Sequence, residues 1–443
     1  MEKKGNIKGL IPLFVFLGLY AGAGIFTGSF GNMPLLTAFM ITMGVSFCLN
    51  KEGKKETLDE KVNIFCKGAG ESTLILMVVI FLLAGAFYSV ADAMGAVSST
   101  GTAKAMGGVD ATVNLGLSLC PLQFIFAGIF AISALIATAM GTSMGTVSAL
   151  TPVAVGIARE TGIALPLVCG VVIGGAMFGD NMSFISDTTI AATRTQEVGM
   201  KDKFKVNFAI VLPAVIINMI LISFMGGSGV EGKVYEYNLV NIIPYISIII
   251  LALTGLNVIN VLGIGIALGL GIGLFHGSFT FVEIFGILQR GLGWMEDMSI
   301  IAIVVGGVVA LMDYFGGISY LLENLTARIK SKKGAETGIA VLVSLLDLAT
   351  TNNTVSIITA GPLAKDIADK FGVDRKRVAG LLDLFSSAFQ GLMPYAGQIL
   401  MAAGMAQISP ASIVPYSWYS MLMIVMGALS IATGLPNFKD SKA

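Results

Sequence analysis

The feature that most constrains the fold of this chain is a set of four long stretches without a charged side chain. No Asp, Glu, Lys or Arg occurs in residues 9–50, 111–158, 237–282 or 384–438. A membrane-spanning helix needs about 20 predominantly apolar residues, so each stretch is long enough for two passes. Charged residues make up only 12% of the 443 residues, against about 25% in soluble domains. We therefore expect an all-α polytopic membrane protein.

Apolar segments bounded by Gly, Pro or basic residues predict about ten transmembrane helices. The segments are 9–30, 33–49, 72–97, 164–193, 206–228, 238–256, 258–280, 296–320, 376–408 and 411–434. Two further apolar stretches, 121–163 and 336–372, contain polar residues at their centres and are predicted to be re-entrant hairpins. Crossing helices are the alternative for both stretches.

The distribution of basic residues predicts the orientation. If both hairpins return to the side they entered from, 23 of the 27 Lys and Arg fall on one side, including those of loops 194–205 and 365–377. The positive-inside rule makes that side cytoplasmic. We expect a multi-pass protein of the cell membrane with both termini in the cytoplasm. The basic residues at the start, followed by a long apolar run, predict an uncleaved first helix rather than a signal peptide.

A short internal similarity predicts two repeats. The string Gly145–Ser148 resembles Asn353–Ser356 in the second half, and Pro152 aligns with Pro362 after a small slip in the alignment. Each half would hold five crossings, an odd number, so the halves would have inverted topology, as in many secondary transporters. The predicted units are 1–230, with hairpin 121–163 and broken helix 164–193, and 231–443, with hairpin 336–372 and broken helix 376–408. Chance similarity between Gly- and Ala-rich strings is the alternative.

The densest polar window within a predicted span is residues 179–189, where seven of eleven side chains carry oxygen and two are carboxylic. An ionised carboxylate near the bilayer centre is costly unless it is compensated. Hard cations such as Na⁺ prefer oxygen ligands. A polar surface loop or hydrogen-bonding between helices is the alternative. We predict Na⁺ binding at Asp180 and Asp187, with neutral ligands from Asn181, Ser183, Ser186 and Thr188.

The centres of the two predicted hairpins form a second set of candidates. Interrupted backbone within a membrane must line a cavity or be buried in protein. The candidate ion or substrate ligands at these breaks are Thr142, Ser143, Thr146, Thr350, Thr351, Asn352, Asn353 and Thr354. Ordinary Ser/Thr hydrogen bonding between helices is the alternative here.

Other acids inside predicted spans are candidates for a proton relay, namely Asp92, Asp347 and Asp383. A buried carboxylate can exchange H⁺ for a cation near neutral pH. All six Arg fall in predicted loops, so no buried Arg is expected to bind a carboxylate cargo.

Several classes of function lack support in the sequence. The formal net charge of zero gives no signal for nucleic-acid binding. The chain contains neither a G-x-x-x-x-G-K-[ST] phosphate loop nor an H-E-x-x-H motif, and its single His excludes a multi-His metal site. We expect a membrane protein that is not an enzyme, has no cofactor, and contacts the lipid bilayer and a small transported solute.

Residues 178–189 read F-G-D-N-M-S-F-I-S-D-T-T. This string resembles the signature of the NhaC-type Na⁺/H⁺ antiporters of the ion transporter superfamily, usually G-D-N-[LM]-S-P-I-S-D-T-T. The departure is Phe184, where the family commonly has Pro. The resemblance implies inverted repeats, paired hairpins, an elevator-like transport domain and, often, a homodimer.

The resemblance also implies Na⁺/H⁺ exchange, with Na⁺ and H⁺ as the transported ions and Asp180 and Asp187 binding them in alternation. Relatives exchange organic acids or import amino acids. Transport of an organic acid or amino acid coupled to Na⁺ or H⁺ is therefore the alternative function. A channel or a scaffold without transport is a third class, which the paired breaks and buried acids disfavour.

Overall fold

The computed structural model describes residues 5–27, 33–51, 53–94, 107–119, 124–184, 186–225, 237–254, 256–326 and 329–436. These residues form helices and turns, and none of them lies in a strand. The first half contains α1 Ile11–Thr27, α2 Leu35–Cys48, α3 Leu58–Ala69, α4 Ser72–Ala93, α5 Gly108–Leu119, α6 Ile125–Met140, α7 Ser143–Thr161, α8 Leu165–Met182, α9 Asp187–Gln196 and α10 Met200–Ser223. The second half contains α11 Leu239–Leu253, α12 Val258–Phe275, α13 Glu283–Trp294, α14 Glu296–Tyr314, α15 Gly317–Thr326, α16 Lys332–Thr350, α17 Asn353–Phe371, α18 Arg375–Gln390, α19 Gly397–Ala406, α20 Pro410–Ile413 and α21 Trp418–Thr433.

The all-helical membrane architecture is confirmed, while the number of crossings is supported in part. Among the described residues, five helical segments are long and apolar enough to cross a membrane: Ser72–Ala93, Leu165–Gln196, Met200–Ser223, Val258–Phe275 and Glu296–Tyr314. The helices Gly397–Ala406 and Pro410–Tyr416, bent by 102°, would together make a sixth. Shorter apolar helices occupy four more of the predicted spans: Ile7–Tyr20, Leu35–Cys48, Leu239–Leu251 and Trp418–Thr433.

Two helix pairs, α6–α7 and α16–α17, turn at similar breaks. In the first, Gly141 is left-handed (φ 66°, ψ 26°) and Thr142 caps α7 by accepting from Gly145 N. In the second, Thr351 is left-handed (φ 57°, ψ 20°) and Asn352 caps α17. A left-handed residue followed by a side-chain N-cap ends one helix and starts the next.

A constant offset along the chain relates the two halves from these breaks onwards. The offset that pairs Gly141 with Thr351 also pairs the ten-residue helices α9 and α19 with each other. Both short helices end at a left-handed residue other than Gly: Glu197 with φ 57° and Gln407 with φ 55°. We call this alignment the cap register. The similarity of Gly145–Ser148 to Asn353–Ser356 departs from it, because the cap register pairs Ser143 with Asn353.

Helices from the two halves pack reciprocally. Helix α3 packs against α14, and α13 packs against α4. These pairs approach closely at glycines: a Cβ on Gly68 would lie 2.5 Å from the Gly306 carbonyl oxygen, and one on Gly85 would lie 2.2 Å from that of Gly291. Small residues at such crossings allow the backbones of membrane helices to touch.

The break-containing helices form the centre of the molecule. Helix α8 packs between α6 and α7, and α18 packs between α16 and α17. In addition, α7 contacts α19 and α17 contacts α9, so each helix pair meets the short helix of the other half. This arrangement brings the two turns and the two broken helices together in the buried interior.

Candidate functional site

Helix α8 ends at Met182 and α9 begins at Asp187, so the break between them lies at the centre of the predicted polar window. Ser186 caps α9 by accepting from Thr189 N, and its hydroxyl donates to the Asp180 carbonyl oxygen over 2.8 Å. The Ser186 side chain therefore partners a carbonyl group at the end of α8 and a backbone amide at the start of α9. Because Ser186 contacts only the backbone carbonyl of Asp180, the side-chain carboxyl of Asp180 can interact with other elements.

Asp180 is buried, with a relative exposure of only 3%. Ser143, the first residue of α7, donates its hydroxyl to Asp180 Oδ2 over 2.8 Å. Gln398 of α19 donates in turn to Ser143 Oγ over 3.0 Å. The second oxygen, Asp180 Oδ1, has no hydrogen-bond partner among the described residues. A buried oxygen without a partner is costly, so this atom is a candidate cation or proton ligand.

The hydrogen-bonded chain continues to the other turn. Gln390 donates to Gln398 Oε1 over 3.2 Å and to the Thr351 carbonyl oxygen over 3.1 Å. One chain of polar groups therefore joins Asp180 to the break between α16 and α17. In the cap register, Gln390 occupies the position equivalent to Asp180, so an amide stands in the second half where the first half has an acid.

Sequence reasoning did not select Gln390 and Gln398 as site residues. The cap register pairs Gln390 with Asp180 and Gln398 with Thr188. Two glutamines in an otherwise apolar stretch were the available signal.

A buried ammonium lies beside the break. Lys203, near the start of α10, is 1% exposed and forms an ion pair with the fully buried Asp383 of α18. It also donates to the Asn181 carbonyl oxygen and to Thr189 Oγ1, the latter over 2.8 Å. Ser387 donates to the other carboxylate oxygen of Asp383 over 3.3 Å. Asp383 is thus stabilised by direct pairing.

The prediction that Lys203 belongs to a cytoplasmic loop is wrong. On α10 it shares one face with the buried residues Val206, Asn207, Ile210 and Val211. That helical spacing was a signal that the position faces the interior. The prediction that every Arg lies in a loop is also wrong, because Arg377 is 7% exposed and pairs with Glu336 over 3.0 Å.

Asp187 differs from Asp180 in its surroundings. It is the first residue of α9 and is exposed. Thr354 of α17 donates to Asp187 Oδ2 over 2.7 Å. Asp187 and Asp383 both lie within electrostatic range of Asp180. The carboxylates of α8, α9 and α18 therefore form one cluster, of which Asp187 is the accessible member.

Asp347 lies in α16, one turn before the second break, and is fully buried. Its Oδ1 accepts a long 3.4 Å hydrogen bond from Ser356, which also contacts Thr350 over 2.7 Å. Its Oδ2 has no partner among the described residues, and neither does the buried Asn353 Nδ2. The second turn thus also holds polar atoms without partners.

Some predicted ligands already have partners within the protein. Thr146 donates to the Thr142 carbonyl oxygen over 3.2 Å, Ser183 donates to that of Thr138 over 2.8 Å, and Thr188 contacts Ser186 over 3.0 Å. These contacts fit the alternative of ordinary hydrogen bonding within and between helices.

The structure does not bring Asp92 to this cluster. It lies at the end of α4 and is exposed, so the expectation that it is a buried acid is wrong.

The cluster carries an excess of acidic groups. Its carboxyls are those of Asp180, Asp187 and Asp383, and Lys203 is the ammonium that pairs with Asp383. In the part of the chain that the structure describes, no group of three or more His, Cys, Asp or Glu is arranged to hold a metal ion. A cation here would be bound by carboxylate oxygens together with amide, hydroxyl and carbonyl oxygens.

A polytopic helical protein with paired helix breaks around buried acids has the organisation of an ion-coupled secondary transporter. The family model described as the Na⁺/H⁺ antiporter family matches residues 6–227 and 234–435. The chain belongs to this family, as the resemblance of residues 178–189 indicated. It is a multi-pass membrane protein and a secondary antiporter, not an enzyme.

Individual relatives differ in cargo. The chain is 25% identical over 353 residues to the malate-2H⁺/Na⁺-lactate antiporter of Bacillus subtilis, covering 71% of this chain and 75% of that protein. It is 27% identical over 338 residues to the Na⁺/H⁺ antiporter NhaC of the same organism, covering 68% and 73%. It is 22% identical over 475 residues to the arginine/ornithine antiporter ArcD of Halobacterium salinarum, covering 98% and 93%.

Among solved structures, the Alcanivorax borkumensis YdaH transporter aligns with a TM-score of 0.40 and 14% identity, over 97% of this chain and 99% of that one.

Proposed function

We propose that this antiporter exchanges Na⁺ for H⁺ and that Asp180 binds the two ions in alternation. The observation that carries the proposal is the unpartnered Oδ1 of a buried carboxyl beside two helix breaks. The buried Asn181 side chain also has amide atoms without partners among the described residues. Na⁺ would take oxygen ligands from these groups. A proton on Asp180 would remove the charge that attracts Na⁺.

Competition between Na⁺ and H⁺ for one carboxyl couples the movements of the two ions. Cation binding requires the ionised acid, and protonation requires that the cation has left. Binding of Na⁺ therefore displaces H⁺, and binding of H⁺ displaces Na⁺. Exchange across the membrane follows, provided that the site opens to the two sides in turn. Asp187, which is exposed and bonded to Thr354, is placed to attract cations towards the buried Asp180.

The excess of carboxyls over ammonium groups supports a cationic cargo. Lys203 is already paired with Asp383, and Arg377 with Glu336, so neither buried cation is available to a carboxylate solute without breaking an ion pair. Among the organic cargoes, the same argument favours a cationic amino acid over a hydroxy acid. Exchange of a cationic amino acid is therefore the second candidate, since a relative that aligns along 98% of this chain is an arginine/ornithine antiporter.

We further propose that the halves are inverted repeats with ten crossings and cytoplasmic termini. The constant offset between the equivalent caps and the reciprocal packing of α3 with α14 and of α13 with α4 support this arrangement. Burial of Lys203 and Arg377 removes two residues from the basic loops but leaves the bias unchanged in direction.

The decisive experiment measures ΔpH-driven ²²Na⁺ flux in proteoliposomes, with and without arginine, ornithine, malate or lactate on the opposite side. We expect Na⁺ flux without any organic solute, and its loss in Asp180→Asn. Asp369→Asn is the matched control, because Asp369 is an exposed acid that pairs with Arg375. Na⁺ exchange that persists in Asp180→Asn would refute the site. Flux that requires an amino acid would favour the second candidate.

A further inference from the structure

A basic cavity of about 560 Å³ lies where the ends of α10, α16, α18 and α21 meet. This volume is within the range of small-molecule sites, roughly 300–1,000 Å³. It is separate from the Asp180 cluster. The charged residues of its lining are Lys205, Lys332, Lys333, Lys376 and Arg377, with Asp202, Glu336 and Asp374.

Two of the three acids already have interaction partners within the protein. Glu336 pairs with Arg377 over 3.0 Å, and Asp374 caps α18 by accepting from the backbone N–H of Lys376 over 2.8 Å. Arg377 also donates to the Ser430 carbonyl oxygen over 2.7 Å, which fixes it in the cavity wall. The exposed side chains of Lys205 and Lys332 add positive charge at the opening. The cavity therefore favours an anion.

An apolar groove of about 480 Å³ adjoins the basic cavity. The two share Lys333 and Ile431, and the groove runs between α16, α18 and α21. Apolar side chains line most of it: Val341, Leu345, Phe385, Phe389, Ile424 and Ala428. Exposure of Val341 (40%) shows that the groove opens on the outer surface of the helix assembly.

We propose that the two cavities together bind one anionic phospholipid, with the phosphate in the basic cavity and an acyl chain in the groove. In a membrane protein, an outward-facing apolar groove is in contact with lipid tails. A cluster of basic residues at the end of such a groove selects anionic headgroups by electrostatic attraction. The inference depends on the membrane location of the chain and is independent of the transported cargo.

The first test measures lipid retention by native mass spectrometry of the detergent-solubilised full chain, supplied with equal amounts of phosphatidylglycerol and phosphatidylcholine. We expect preferential retention of phosphatidylglycerol. In the double variant Lys205→Gln/Lys332→Gln its binding should weaken by about tenfold or more, since each lysine near an anionic lipid contributes a severalfold change in affinity. Lys201→Gln/Lys370→Gln, which removes the same charge from exposed positions outside the lining, is the control. Equal retention of both lipids, or equal effects of both double variants, would overturn the proposal.

The second test separates a lipid from a free anion. Ala428→Trp would fill the groove, while Leu429→Trp adds the same ring at a neighbouring exposed position outside its lining. We expect only Ala428→Trp to reduce phosphatidylglycerol binding, and we expect glycerol 3-phosphate to compete weakly. Full competition by glycerol 3-phosphate or inorganic phosphate, with no effect of Ala428→Trp, would instead show a site for a soluble phosphate. Size-exclusion profiles of each variant show whether it is folded.

Discussion

At the scale of single residues, the Ser143 hydroxyl links Asp180 to the second half of the molecule. It donates to the carboxylate and accepts from Gln398 at the same time. A hydrogen bond donated to a carboxylate favours its ionised form over the protonated acid. If Asp180 binds Na⁺ and H⁺ in alternation, as proposed, this hydrogen bond would favour Na⁺ in their competition.

We predict that Ser143→Ala raises the Na⁺ concentration needed for half-maximal exchange by about ten- to a hundredfold at neutral pH, the equivalent of one hydrogen bond to a charged group. The difference from the wild type should shrink as the pH rises, because fewer protons then compete. Na⁺ titrations of exchange at several pH values measure both effects. Ser148→Ala is the control, since Ser148 is a buried hydroxyl of the same helix that donates to Gly145 O. Equal effects of the two variants would contradict the assigned role.

The ion pair between Lys203 and Asp383 leads to a second prediction. Lys203→Met leaves a buried carboxylate without its counter-ion, and breaking a buried pair in this way costs roughly 3–5 kcal/mol. We expect a large fall in the unfolding temperature of the purified protein. The double variant Lys203→Met/Asp383→Leu should recover much of the loss, because no unpaired charge remains.

Lys54→Met removes an exposed lysine that pairs with Glu60 and should have little effect on the same measurement. If the double variant is no more stable than Lys203→Met alone, the carboxylate is not the cause of the loss.

The sequence alone identified the candidate acids, but it did not identify the side chains that form ion pairs or hydrogen bonds with them. Asp180 and Asp383 were conspicuous because a carboxyl within an apolar span has a high cost. Lys203 was not, because it lies among other basic residues next to a loop, and only its helical spacing to Val206 and Ile210 indicates burial. Gln398 carries no charge, so its contribution depends on a contact with Ser143, which is distant in the sequence.

At the scale of elements, each of the two turns ends one helix and starts the next with a left-handed residue, but the residue types differ. Gly141 adopts the left-handed conformation at no steric cost, whereas the β-branched Thr351 pays about 1–2 kcal/mol for it. Thr351 is held by two contacts, since its carbonyl oxygen accepts from Gln390 and its hydroxyl donates to Thr350 O over 2.7 Å. The second turn is therefore fixed by polar contacts that extend to Asp180.

The close crossing of α4 and α13 leads to a third prediction. A methyl group on Gly85 would lie 2.2 Å from the Gly291 carbonyl oxygen, so the helices must separate. Gly85→Ala should lower the unfolding temperature and the yield of folded protein, although Ala is the better helix former.

Gly263→Ala provides the control within α12, because nothing lies within 4 Å of its added Cβ. That variant should be neutral or slightly stabilising in the same thermal measurement. Equal behaviour of the two variants would mean that α4 and α13 do not pack as described.

At the scale of the whole molecule, charge distribution predicted the membrane class and the 178–189 motif predicted the family. The predicted repeat alignment was only partly in register: the cap register pairs Pro152 with Pro362, as predicted, but it does not pair Gly145–Ser148 with Asn353–Ser356. Short strings such as Gly145–Ser148 and Asn353–Ser356 coincide because small residues are frequent in membrane helices. The equivalent positions are instead set by backbone conformation: Glu197 and Gln407, which the cap register pairs, are both left-handed although their side chains differ in charge. Conformation of this kind becomes visible only with the backbone.

The reciprocal packing of α3 with α14 and of α13 with α4 leads to the last prediction. If the halves are inverted repeats, the segments that lead into α3 and α13 must lie on opposite sides of the membrane. Lys55 and His276 are exposed residues of these two segments. In a background without native cysteines, Lys55→Cys should react with a membrane-impermeant maleimide only in inverted vesicles, and His276→Cys only in right-side-out vesicles.

Labelling of both positions from the same side would contradict the inversion. If Lys55→Cys reacted only in right-side-out vesicles and His276→Cys only in inverted vesicles, the halves would still be inverted relative to each other. The orientation in the membrane would then be the opposite one, with the termini outside. The experiment thus separates the internal symmetry of the molecule from its direction in the membrane, which the basic residues alone indicate. Both outcomes bear on the proposed mechanism, in which inverted halves would exchange conformations and expose Asp180 to each side in turn.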